Sequence, residues 1–321
     1  MTNRKVKKNQ HYVPKSHLKR FTIEGEKSLI WSFDKVKGEF GKLPASKNKV
    51  CAEDYYYYQI TKDNKIDHTT LEDRFSEIET SSNNAIDRLL ACSKMPYIHL
   101  TRLDREQVAF YIALMLVRGP SFRDAISEIY GHVARVMLNK VWDESKAPEV
   151  LQQLVRKYGL SNVVDISVNS TVSLEHMINS AEAIAKEFLK KGWVLINAPR
   201  GRDFVTSDVP VVFYPYKYGL EDVGPAHPNA EILFPICKSS ALIMTPAIEP
   251  MDEVVIGNYS DFLLDDINTK VAKAANKYIY CSEQYSWLKD KDLGCSQGQR
   301  LTSGVDMTGI NIVTNPWKRK S

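Results

Sequence analysis

The chain predicts an α+β protein: a central helical bundle with antiparallel β elements contributed by its N-terminal and C-terminal parts. Two observations carry that prediction. Between about residues 70 and 191 apolar residues recur every three to four positions, whereas the flanking segments alternate apolar and polar residues between turn signals. The strands are also grouped at the ends of the chain instead of alternating with helices. Three segments follow, residues 1–68, 69–191 and 192–321, expected to pack as one compact unit.

The elements run in this order. Residues 9–22, NQHYVPKSHLKRFT, crowd His11, Tyr12 and several cations around Pro14. Proline disfavours the helical region for the residue before it, so Val13 is extended. Leu18 and Phe21, at helical spacing, then dock a short amphipathic helix that turns Lys15, Lys19 and Arg20 outward. Residues 28–44 read as a hairpin: Leu29, Trp31 and Phe33 alternate with polar residues, Lys37 and Gly38 turn the chain, and Phe40 begins the return. A further strand is expected over residues 55–60, turning at Asp63 and Asn64, with the rings of residues 55–58 alternating between core and solvent. From Thr70 the period changes. Leu71, Phe75, Ile78, Ile86, Leu89 and Leu90 mark one long helix or two joined ones. Asp104, three residues before Gln107, is the expected N-cap of a helix through Val117, whose nearly unbroken apolar interior makes it the buried centre of the bundle. Helical patterning continues over residues 121–160 with a break near Pro148, resumes over 173–191, and is expected to end at Gly192 as a C′ residue. Strands follow in WVLINAP, FVTSDVPVVFYP and ILFPICKSSALIMTP, then a helix over residues 261–276 and a last strand in KYIYCS.

Composition excludes several classes. At 321 residues with 43% hydrophobic content the chain buries a core without staples. Its longest apolar run, residues 108–117, falls far short of the roughly 20 residues of a membrane span. No apolar segment follows the basic start MTNRKVKKNQ, so a secretion signal is not expected and a cytoplasmic location is. Five scattered cysteines, Cys51, Cys92, Cys237, Cys281 and Cys295, argue against a disulfide framework or a cysteine zinc site. The net charge of +4 does not make the whole chain a nucleic-acid binder, but the cations cluster. Arg4, Lys5, Lys7, Lys8, Lys15, Lys19 and Arg20 fall in the first twenty residues with no acidic residue among them, and Lys318, Arg319 and Lys320 add a second patch. These are either solvated tails or a phosphate-steering surface beside His11.

No phosphate loop, dinucleotide glycine fingerprint or Gly-x-Ser-x-Gly elbow is present, which disfavours ATPase, dehydrogenase and α/β-hydrolase readings, and no His-x-x-x-His spacing offers metal ligands. The candidate residues are therefore read singly. A neutral His11 among cations suits a general base, or its ring locks the turn by bonding a backbone carbonyl. Arg118 closes the run YIALMLVRGP, where a cation complements the helix dipole or is aimed at a phosphate; its internal partner is expected among Glu72, Glu79 and Asp208. Asp208, in VTSDVPVV, either caps its own backbone in a turn or presents a carboxylate at a strand end. Glu72 and Glu79 share one helix face, read as solvated or, with Asp208, as a divalent-metal set.

The blocks HYVPKSHLKRF, CAEDYYY, LEDRFSEIE, VRGPSFRD, FVTSDVPVV after Trp193, LFPICKSSAL and INTKVAKAANKYIY occur in the order found in the bacterial family called domain of unknown function 4238, and the chain resembles that family over about residues 9–283. Gly119 departs from the threonine or similar residue usual between the arginine and the proline. The resemblance implies a context of single-gene anti-phage defence, hence a toxic effector or a sensor of infection with a phage-encoded trigger. The leading expectation is a metal-independent, cofactor-free RNA-cleaving effector. His11 acts as general base or acid, Arg118 stabilises the phosphorane with Lys15 or Arg20, Asp208 orients the histidine, and Tyr12, Lys15 and Arg20 bind substrate, RNA in preference to DNA. The competing expectation is a non-catalytic module that binds nucleic acid or a phage component. A third is a metal-dependent nuclease on Glu72, Glu79 and Asp208.

Overall fold

A computed structural model describes residues 8–60, 66–67, 69–91, 93, 95, 97–164, 170–216, 223–257, 260–294, 302–306 and 309–314. Strand β1 (Asn9–His11) leads into the short helix α1 (Lys15–Leu18). Strands β2 (Leu29–Asp34), β3 (Glu39–Phe40), β4 (Ala45–Ser46), β5 (Ala52–Asp54), β6 (Gln59–Ile60) and β7 (Ile66–Asp67) complete the first segment. The middle holds α2 (Thr70–Ala91), β8 (Tyr97–His99), α3 (Arg102–Val117), α4 (Pro120–Val141), α5 (Glu149–Tyr158), α6 (Leu160–Val163) and α7 (Ser170–Leu189). Strands β9 (Gly192–Asn197), β10 (Thr206–Ser207), β11 (Val212–Pro215), β12 (Ala230–Cys237), β13 (Ser240–Thr245) and β14 (Glu253–Gly257) follow. Helix α8 (Asp261–Ala274), β15 (Tyr278–Cys281), α9 (Trp287–Asp290) and the hairpin β16 (Thr302–Asp306) and β17 (Gly309–Thr314) close the chain.

This is an α+β architecture in which helices α2, α4 and α7 pack around α3. The apolar residues of α3 are buried almost throughout, from Val108 to Val117, and burial of each large side chain contributes about 2 kcal/mol. One sheet runs β10-β15-β2-β3, with β4 also on β2. It joins both ends of the chain, since Phe33 faces Ile279 and Ser32 faces Tyr280 across antiparallel partners. The second sheet runs β11-β12-β13-β9-β14-β8 and takes β8 from between two helices. Its β14 and β9 are parallel, with Val255 beside Val194, where only antiparallel pairing was expected. Leu18 and Phe21 are fully buried, so the opening helix docks as its spacing implies. No helix among the described residues is long and apolar enough to cross a membrane.

Several local expectations are corrected. Residues 55–58 are not a strand: Tyr55 turns the chain at φ +57° and Tyr56 and Tyr57 are both buried, because their hydroxyls reach backbone carbonyls instead of alternating faces. Thr101, not Asp104, caps α3, its hydroxyl accepting from the Asp104 amide at 3.1 Å. Gly192 does not end α7 in a left-handed turn. It begins β9, where a Cβ would lie 2.5 Å from that of Ile248, so close packing demands the glycine. FVTSDVPVVFYP splits between the two sheets, and KYIYCS is followed by the β16–β17 hairpin. Cys51, Cys237 and Cys281 are buried free thiols. The turn at Asp63 and Asn64, the cations Arg4, Lys5, Lys7, Lys318, Arg319 and Lys320, and the thiols Cys92 and Cys295 lie outside the described residues.

Candidate functional site

The opening motif, the end of α3 and the strand pair β10–β15 meet at a buried polar centre. β1 pairs with β5, so His11 lies opposite Ala52, and the Tyr12 amide bonds the Cys51 carbonyl at 2.9 Å. Cys51 holds a left-handed φ of +52°, which strains a non-glycine residue and turns the chain back toward β1.

Arg118 is 2% exposed at the C-cap of α3. Its Nε donates to the Tyr57 hydroxyl at 2.9 Å, Nη1 to Glu79 at 2.8 Å and Nη2 to the His11 carbonyl at 2.5 Å. The guanidinium also lies 4.8 Å over the Phe75 ring. Burial penalises its charge, but Tyr57 and Glu79 outweigh that penalty and raise its pKa. Of the three expected partners Glu79 is the one used, so that carboxylate does not belong to a wholly solvated face. Arg118 therefore holds the backbone of His11.

His11 is 4% exposed, and its Nε2 is enclosed with no hydrogen-bond partner among the described residues. Burial, Lys15 and Arg118 lower its pKa to about 4, against a smaller opposite pull from the backbone of Lys47 and Asn48. The ring is neutral at pH 7 and keeps one unspent nitrogen. Lys15 is exposed beside it.

Asp208 is 5% exposed. Its Oδ1 accepts from the Asn276 amide at 2.9 Å, and its Oδ2 from Lys277 at 2.8 Å and Tyr278 at 3.0 Å. The turn bond two residues on belongs instead to Ser207, whose hydroxyl accepts from the Val209 amide at 3.1 Å. Burial pushes the Asp208 pKa up against the pull of its three amide donors. Among the described residues it makes no hydrogen bond to His11, so it does not orient that ring directly. It does lie close enough to raise the pKa of Tyr12, after the larger effects of burial and Cys51. Cys51 and Tyr280 are coupled in the same way, both pushed up first by burial.

The remaining candidates separate. Tyr12 is half-buried with its ring 5.7 Å from Tyr56. Arg20 does not face solvent freely, because its Nη1 and Nη2 each bond α2 at 2.7 Å, through Asn83 and Asp87. Among the described residues no group of three or more His, Cys, Asp or Glu side chains is arranged to hold a metal ion. Glu79 is engaged by Arg118 and Asp208 by three backbone amides.

Tyr57, Cys51, Tyr280 and Asn276 were missed as members of this centre. Asn276 also bonds Ser121 at the start of α4, its Nδ2 donating to Oγ at 2.8 Å. The signal was their recurrence inside the same motif blocks, CAEDYYY, VRGPSFRD and NKYIY, whose polar members fold onto one another.

A helical bundle and two sheets converge on this buried centre, which one arginine ties together, and that arrangement makes this an α+β protein. The chain belongs to the family described as protein of unknown function (DUF4238), whose model matches residues 9–284. No curated protein and no solved structure matches it.

Proposed function

We propose that this protein is a metal-independent, RNA-cleaving effector of anti-phage defence in which His11 is the proton-transfer group. The observation that supports this reading is the neutral imidazole of His11, fixed through its carbonyl by Arg118, with an unspent Nε2 beside the exposed cation Lys15. In the reaction the RNA 2′-hydroxyl oxygen attacks phosphorus while its proton passes to Nε2. The bond from phosphorus to the 5′-oxygen then breaks, the imidazolium returns the proton to that oxygen, and a 2′,3′-cyclic phosphate and a 5′-hydroxyl result. Lys15 meets the phosphate charge; Tyr12 borders the site. Arg118 and Asp208 are positioning residues, one holding the His11 backbone and the other the β10–β15 strand pair.

A second reading is favoured by a specific observation. His11 is 4% exposed, Arg118 gives a donor from each of its three nitrogens to internal acceptors, and both oxygens of Asp208 are occupied internally, which suits a non-catalytic module whose polar centre specifies the fold while its surface binds a phage component. Purified protein in EDTA offered labelled RNA and DNA separates the two. The first reading expects RNA cut with a cyclic phosphate end and loss of cutting in His11→Ala. No cutting of either polymer, in EDTA or with magnesium added back, favours the second.

A further inference from the structure

A separate unassigned feature lies at the opposite end of α3 from Arg118. Arg105, in the second half of the first turn, is 5% exposed, and its guanidinium carbon lies 4.4 Å over the fully buried ring of Trp193. Stacking uses the flat face of a guanidinium and leaves its in-plane N–H donors for other partners. Among the described residues no hydrogen bond from them is found. Nη1 is enclosed with no hydrogen-bond partner, and no carboxylate comes within ion-pair distance of Arg105 among the described residues. Burial disfavours the cation, and Asp252, on the exposed loop before β14, offsets this only through space.

Neighbouring polar groups are spent elsewhere. The Trp193 indole N–H donates to the Phe188 carbonyl at 3.1 Å, the Thr101 hydroxyl caps the helix, and the Asp104 carboxylate holds Arg88. A buried, unpaired guanidinium is costly, and the ligand that matches its planar fork is an oxyanion. The N-terminal dipole of α3 adds positive potential in the same place.

We propose that Arg105, backed by Trp193, anchors a binding site for a small oxyanion, a phosphate or carboxylate group received in the plane of the guanidinium. The burial of both side chains restricts the ligand to a small ion or the terminal group of a larger molecule.

Thermal unfolding of the full chain in inorganic phosphate, in acetate and in chloride at matched ionic strength tests this. The expected result is a saturable rise in Tm with phosphate or acetate that chloride does not give, the more effective ion naming the group. Arg105→Gln abolishes the rise. Lys15→Ala keeps it, which separates this site from the His11 centre and makes the result independent of whether RNA is cut. Should Arg105→Gln not fold, Asp252→Asn carries the test: removing the carboxylate that partly compensates Arg105 lowers the half-saturating concentration severalfold. A rise no larger than that in chloride, a rise undiminished in Arg105→Gln, or a half-saturation unchanged in Asp252→Asn overturns the proposal.

Discussion

Arg118 donates to the main-chain carbonyl of His11 at 2.5 Å, joining the end of the central helix to the first strand across 107 positions of sequence. The contact is to backbone, so it fixes where the His11 ring sits without consuming the ring itself. The same guanidinium gives two further donors to Tyr57 and Glu79, and one buried charge thus holds three segments in register.

Arg118→Met is expected to destabilise strongly. It removes the cation that pairs with Glu79 among the described residues, and it takes one of two bonds each from the His11 carbonyl and the Tyr57 hydroxyl, which keep the bond between them; breaking a buried pair in this way costs about 3–5 kcal/mol. Arg118→Lys recovers little, because an ammonium cannot span three acceptors held in a planar fork. Urea unfolding measures both, and a loss below about 1 kcal/mol in Arg118→Met, the range of an exposed pair, would falsify the central role assigned here.

Stability is expected to fall in mild acid. Burial lowers His11 to about 4, and lowers His17, whose Nε2 lies 2.9 Å from the Thr206 hydroxyl, to about 3, both from an ordinary 6.5. The unfolded chain then binds more protons than the folded one below pH 6.5, so stability rises with pH through that window, is complete above it, and is lost on descent toward pH 4 and 3. At 1.36 kcal/mol per pH unit the stability lost on that descent is on the order of 3 kcal/mol for His11 and about 5 kcal/mol for His17. Unfolding free energies of the wild type and of His11→Gln between pH 4 and 7 should differ in slope, the variant being flatter; parallel profiles refute the assignment to His11.

What was legible in the sequence, and what was not, divides by the range of the interaction. Periodicity located α2 and the break at Pro148, alternation located the β2–β3 hairpin, and Leu18 with Phe21 placed the opening helix, since each is decided by neighbours a few residues away. The short strands β8 and β14 carried no such signal and exist because they complete a sheet edge. The centre was half legible. His11, Arg118 and Asp208 do fall among its members, but the partner of Asp208 is a stretch of backbone about seventy positions downstream, and backbone donors leave no mark in side-chain identity. Tyr57 was likewise assigned to a strand when its hydroxyl is what the arginine needs.

Asp208→Asn tests that backbone anchor. Both carboxylate oxygens accept amide hydrogens, whereas an asparagine must point its own NH₂ at one or more of those donors. Hydrogen bonds to charged groups are worth about 1.5–3 kcal/mol, so a loss of that size is expected in chemical denaturation, with slower amide exchange protection lost first at Asn276, Lys277 and Tyr278. A variant as stable as the wild type removes the anchoring role.

Two glycines, one at the start of β9 and one between α3 and α4, should respond in opposite directions. At Gly192 an added Cβ would stand 2.5 Å from Ile248 Cβ and 2.6 Å from its carbonyl oxygen, and because the obstruction includes backbone, Gly192→Ala should cost about 1–3 kcal/mol by overpacking. Gly119 is the N-cap of α4 with no side-chain cap bond, and its nearest obstacle, the Leu116 carbonyl, lies at an ordinary 3.8 Å. Gly119→Ser supplies the missing cap oxygen and reduces the freedom of the unfolded chain, so it should stabilise by a few tenths of a kcal/mol up to about 1 kcal/mol. Paired melting curves of the two variants decide the matter: the close approach of β9 to Ile248 is mistaken if Gly192→Ala melts with the wild type, and the α4 cap reading is mistaken if Gly119→Ser melts below it.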